Sequence, residues 1–156
     1  MIITVNDLLD SGLPLSEEIS ERKIENAIFT AEQFIIKNRL GDQQYIAIIT
    51  SPAEYETILD GGAYVDHKGK NVWLAGLCEA ETHLAYALIL RDNITATIFG
   101  SVLKKDDYSD QAGEDRLNAV ARYHTEVGLA YLKEITDALG IDNTDRALND
   151  WYEELV

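Results

Sequence analysis

GLCEAETHLAYALILRDN, residues Gly76 to Asn93, is the stretch around which the rest of the chain must arrange itself. Leu77, Ala80, Leu84, Ala87 and Leu88 recur at helical spacing, Leu90 follows, and Cys78, Ala85 and Ile89 widen the stripe. Recurrence at three and four residues predicts a helix over about 76–92. A stripe this wide, with small residues among leucines, has to be covered on several sides. The implied fold class is mainly α: a small helical bundle around this central helix, with the other segments as its partners.

Downstream, Leu117, Val120, Val127, Tyr131, Ile135 and Ala138 predict a long C-terminal helix over about 114–139, with Ala121, His124 and Gly128 along the same side. Gly140 suits its C-cap. Asn93 to Ser109, between the two helices, has no helical stripe and reads as an extended excursion. Residues 141–156 read as a C-terminal helical tail carrying Ala147, Leu148, Trp151, Tyr152 and Leu155, either a lid on the core or an anchor for a partner.

Upstream, Asn6 is placed to cap a short helix through Leu9 that ends near Gly12 and Pro14. Ser16, followed by Glu17 and Glu18, is the next N-cap candidate. The helix after it has an apolar stripe of Ile24, Ile28, Ala31 and Ile35, widened by Ala27 and Phe34, with Glu32 on the polar side and Gly41 at its end. Gln44 to Thr50 fits helix or strand by period; its helical neighbours favour helix. Ser51-Pro52-Ala53-Glu54 has the pattern of a capping box opening another short helix, which Gly61-Gly62 ends. Tyr64-Val65 and Val72-Trp73, flanking the turn residues Asp66 to Lys70, read as a small β-hairpin over Ala63 to Trp73. A lone hairpin is marginal in water, so it should lie on the bundle or on another subunit.

A chain of 156 residues, 46% hydrophobic and 26% charged, is expected to form one domain over 1–156 with a sizeable core. Its formal charge of −15 argues against binding to a phosphate backbone, which needs a basic face. No run approaches the ~18 apolar residues of a membrane span, and the acidic start is unlike a signal peptide, so a protein that is cytosolic, or assembled from the cytosol, is expected. The single cysteine, Cys78, cannot form an internal disulfide and reads as a buried, inert thiol.

Catalytic chemistry is hard to find. Glu79, Glu81 and His83 hint at a metal, but a di-iron bundle site needs Glu-x-x-His on two helices, and these residues are spaced by two and four. His124 and Glu126, two apart, aim at different faces. A surface or interface role suits these residues better. Phosphate loops, nucleophile elbows and Cys-x-x-Cys pairs do not occur. The reading therefore assigns no catalytic residue, metal or cofactor.

Four stretches together resemble phage and prophage head–tail connector proteins, the neck or portal-adaptor subunits, and most closely a branch from phages of gut bacteria. They are ITVNDLL at Ile3 to Leu9, ILDGGAYV at Ile58 to Val65, AGLCEAETHLAYALILRDN at Ala75 to Asn93, and TIFGSVLKKDDYS at Thr97 to Ser109. The resemblance spans residues 1 to 140. It departs at Cys78 to Glu81, where the family has more basic or apolar residues, and in having only Tyr86 as an aromatic on that helix.

The resemblance implies a non-enzymatic structural virion protein that forms a homo-oligomeric ring on a portal protein and meets the next neck or tail ring. DNA would pass its lumen without sequence-specific binding, no membrane would be involved, and the chain would move from host cytoplasm to the virion neck. It further implies subunit-interface roles for Tyr64, Val65, Trp73, Phe99, Val102, Lys104, Lys105 and Tyr108, and portal-anchoring roles for Leu148, Trp151, Tyr152 and Leu155. The alternative is a small helical adaptor or regulator of a bacterium that binds another protein through its last helix.

Overall fold

The computed structural model describes residues 2–15, 19–96 and 110–142, and these form a mainly helical fold with one small hairpin. Helices α1 (Val5–Asp10) and α2 (Glu21–Thr30) lead into a π-helical segment (Ala31–Ile36), then α3 (Lys37–Leu40) and α4 (Asp42–Thr50). A 3₁₀ turn (Pro52–Tyr55) and α5 (Glu56–Asp60) precede strands β1 (Gly62–Val65) and β2 (Asn71–Leu74). The long helices α6 (Leu77–Ala96) and α7 (Asp110–Leu139) follow.

The central helix behaves as its stripe requires. Leu77, Ala80, Leu84, Ala85, Ala87, Ile89 and Leu90 are all buried, and so are Glu81, Thr82 and Tyr86 between them. α7 covers one side, and α1, α2, α5 and the π segment cover the others. α6 and α7 approach closely because of Gly128, which takes the place of a side chain against Ala80 and Leu84. α7 ends in a Schellman motif: Gly140 N–H donates to Asp137 O and Ile141 N–H to Thr136 O, with Gly140 at φ +72°.

The hairpin pairs Gly62 with Leu74 and Val65 with Asn71, antiparallel. At its base Gly61 and Gly76 cross backbone to backbone. A Cβ on Gly61 would lie 2.5 Å from Ala75 O, and one on Gly76 would lie 2.5 Å from Gly61 N. Both have positive φ, so the crossing needs glycine twice over.

Several local expectations are corrected. The first helix is capped by Thr4, not Asn6: Thr4 Oγ1 accepts from Asp7 N, and Asp7 Oδ2 accepts from Thr4 N. Ser16 lies outside the described residues, and Ser20 occupies the N-cap position of α2. The Ser51 capping box does not form; Ser51 makes no side-chain cap bond, and Pro52 opens a 3₁₀ turn instead.

The apolar stripe of α2 is broken by the π segment. There Lys37 N–H reaches back five residues to Glu32 O, and the wider turn rotates the following side chains. Phe34 is thereby turned out, 50% exposed, while Ile36 and Glu32 are buried. On α7 Leu117 is exposed, and the buried face is completed by Thr125, Leu132 and Thr136. α7 begins at Asp110, earlier than expected, and α6 runs on to Ala96, so Asn93 to Ala96 are helical and not part of an extended excursion. Residues 97–109 and the tail over 143–156 lie outside the described residues. Among the described residues, no helix is long and apolar enough to cross a membrane.

Candidate functional site

Strand alternation sorts the hairpin residues into two faces. Tyr64, Val72 and Leu74 turn inward onto the core, whereas Ala63, Val65, Asn71 and Trp73 turn outward. Of the expected interface residues, Tyr64 is thus half-buried in the chain's own fold, while Val65 (57% exposed) and Trp73 (77% exposed) share an outward apolar face. Phe99, Val102, Lys104, Lys105 and Tyr108, and the expected anchors Leu148, Trp151, Tyr152 and Leu155, lie outside the described residues.

This face is held firmly. Asp66 Oδ1 accepts from Lys68 N and Lys70 N, closing the turn, and Asp66 N donates to Lys70 O. The bond from Lys70 N, more than that from Lys68 N, keeps the Asp66 carboxyl below its ordinary range. His67 N donates to Ala138 O at 2.9 Å, pinning the turn to the end of α7. Between hairpin and helix lies an open cleft of about 660 Å³, with Trp73 and Lys68 on one wall and Glu134, Asp137 and Asp142 on the other. Mixed charges and openness make it a rim for the apolar face rather than an enclosed ligand cavity.

Two clusters of titratable side chains lie across the helices. His83 on α6 and His124 on α7 stack with centroids 4.9 Å apart, their Nδ1 atoms 2.7 Å from each other. At that distance one nitrogen must donate and the other accept. Glu79 Oε1 lies 3.4 Å from His83 Nε2, which favours a proton there and leaves His83 Nδ1 to accept from His124. Tyr86, Tyr123 and Tyr131 pack edge-on around the pair. Burial, then the neighbouring His83, lowers the pKa of His124.

The second cluster is acidic and buried. Glu32 is 2% exposed and accepts from the Tyr45 hydroxyl at 2.7 Å, while Gln33 Nε2 donates to the same hydroxyl. Glu81 is wholly buried on α6; its Oε2 accepts from Ile3 N at 3.2 Å. Burial and the charge of Glu32 push the Glu81 carboxyl up to about 9. Burial and Glu32 likewise raise Tyr45 to about 12.

The sequence reading placed Glu81, His83 and His124 at a surface or interface. Glu81 and His124 are instead buried between helices, and His83 is mostly covered. His124 and Glu126 do diverge, with Glu126 paired outward to Arg122. Among the described residues, no group of three or more His, Cys, Asp or Glu side chains is placed to hold a metal ion. Cys78 is half-buried rather than buried, and its thiol faces Asp60 at 3.6 Å. Burial and Asp60 raise that thiol to about 12, consistent with an inert group.

Residues 36–153 match the model of a family of unknown function, DUF6712. The chain belongs to that family. No curated protein and no solved structure is significantly similar to it. The DUF6712 match takes in the hairpin and both long helices, and begins at the last residue of the π segment, leaving α1, α2 and the rest of that segment before it.

Proposed function

We propose that this DUF6712 protein is a structural, non-enzymatic ring subunit of the head–tail connector kind, assembling on a portal in the host cytoplasm and ending in the virion neck. The observation that carries this reading is the outward hairpin face, where a tryptophan is 77% exposed on a strand pinned by hydrogen bonds. A rigid, exposed aromatic is the kind of side chain that anchors protein interfaces. A neighbouring copy, presenting a different surface, would cover it. That is the heterologous contact from which rings close.

Magnitudes bear on how such a ring would behave. Burying most of one tryptophan removes on the order of 150 Å² from water, worth about 4 kcal/mol at ~25 cal/mol per Å². Rigid-body association costs at least that much, so this face alone holds two copies only weakly. The formal charge of −15 adds repulsion between copies. Assembly on a template, the portal, is the natural consequence of so weak a contact. The same charge would keep DNA from adhering to the lumen.

The test is a pull-down of the full chain with a phage portal protein, comparing wild type with Trp73→Ser. Loss of multimeric assembly in a variant that retains its helical circular dichroism supports the reading. Equal assembly by the variant removes the hairpin from the interface. A wild-type chain that ignores the portal points to the helical adaptor alternative.

A further inference from the structure

The N-terminal segment is joined to the central helix by one unusual bond. Ile3 N–H donates to Oε2 of Glu81, seventy-eight residues away, and both residues are buried. The other oxygen, Oε1, is buried with no hydrogen-bond partner among the described residues. A carboxylate that accepts one bond and leaves one oxygen bare is poorly compensated in a protein interior. The neutral acid is tolerated far better, with its proton on Oε1 and its Oε2 free to accept from Ile3.

We propose that Glu81 is a proton-dependent latch: as the neutral acid it lets residues 2–10 lie closed on the bundle, and on losing its proton it drives that segment off.

The groups around Glu81 support this direction. Glu32, presented by the π segment, is acidic and buried and repels a charge on Glu81; Tyr45 from α4 is bonded to Glu32. Cys78, on the preceding turn of α6, faces the further acid Asp60 from α5. On the facing part of α2, Ile24, Ala27 and Ile28 are apolar. The Ile3 amide and the positive charge of the amino terminus pull the other way, without restoring an ordinary carboxyl. An ionised Glu81 therefore needs water, and the covering segment bonded directly to its carboxyl is the N-terminal one, through Ile3. α1 is six residues long and contributes Leu8 to the core, with Ile3 just before it. Lifting it exposes less apolar surface than parting α6 from α7.

The proton balance is simple. The closed segment holds the proton on Glu81; opening releases it to solvent, where the carboxyl returns to its ordinary range. Each pH unit between the two ranges then favours opening by about tenfold.

Amide hydrogen exchange of the full chain, from pH 5 to 8 and corrected for intrinsic base catalysis, tests this at Ile3 and Leu8. In wild type the opening constant at both amides should rise by about tenfold per pH unit, while buried amides of α7 stay protected. In Glu81→Gln the rise should vanish, and Glu81→Met provides a second neutral variant in case Gln packs poorly. A pH-independent opening in wild type would overturn the latch. So would the same rise in both variants, or exchange of Ile3 and Leu8 only together with the α7 core.

Discussion

Replacing Gly128 with alanine tests the close approach of α6 and α7 on which the bundle rests. In an open helix interior the change would stabilise, since alanine is favoured over glycine by about 0.5–1 kcal/mol. Here the new Cβ would sit 2.7 Å from Leu84 Cγ and 3.0 Å from Ala80 O. The carbonyl cannot rotate away, and Leu84 is buried, so either the helices part or Leu84 leaves its rotamer. Overpacking of this sort costs roughly 1–3 kcal/mol. After the propensity gain the net loss is about 1 kcal/mol, a fall in Tm of about 2–4 °C for a chain of this size.

A double-mutant cycle sharpens that result. Leu84→Ala alone should cost about 2–5 kcal/mol by leaving a cavity. In that background Gly128→Ala should stabilise, because two of the three crowding atoms are gone, giving a coupling energy of at least about 1 kcal/mol. Urea unfolding of the four proteins measures it. Gly128→Ala stabilising wild type by about 1 kcal/mol, with no coupling to Leu84, would refute the packing described for the two long helices.

Two further outcomes follow from the titratable groups. His124 resists protonation when folded, so the folded state binds fewer protons than the unfolded one below the usual histidine range; this contribution to stability is present above about pH 6.5 and is lost as pH falls. Urea midpoints of His124→Phe should therefore decline less steeply than wild type between pH 7 and 5, and parallel profiles would contradict the buried pair. Cys78, whose thiol burial and Asp60 raise to about 12, should react with a disulfide reagent at pH 8 more than about tenfold more slowly in the native chain than in urea. Comparable rates by absorbance would show that the thiol is not held as described.

The long-range features of the fold were legible because they rest on patterns longer than any local disturbance. The width of the stripe over Leu77 to Leu90 called for a helix covered on several sides, and the turn residues Asp66 to Lys70 between β-formers allowed a small hairpin. Errors fell where one extra residue changes the period. The π segment turned Phe34 out and brought Ile36 and Glu32 in, and nothing in AEQFII signals such a turn.

The candidate clusters were harder still. Periodicity treats glutamate as outward-facing, so Glu32 and Glu81 were hidden by their own polarity. The available signal was their helical spacing from apolar residues, Ile28, Ile35 and Ile36 for Glu32 and Leu77, Leu84 and Ala85 for Glu81. His83 and His124 meet across forty-one residues, a pairing that one sequence does not encode locally. Strand alternation alone could have separated Tyr64 from Val65 and Trp73, since the three stand on a hairpin already predicted.

Whether this DUF6712 chain closes into a ring on a portal is read from electron microscopy of the full chain mixed with a phage portal protein. A coaxial ring on the portal, with Trp73 of each subunit covered by its neighbour, is the expected result. Portal particles without a ring, beside a chain that stays a lone monomer or dimer at every concentration, would contradict it.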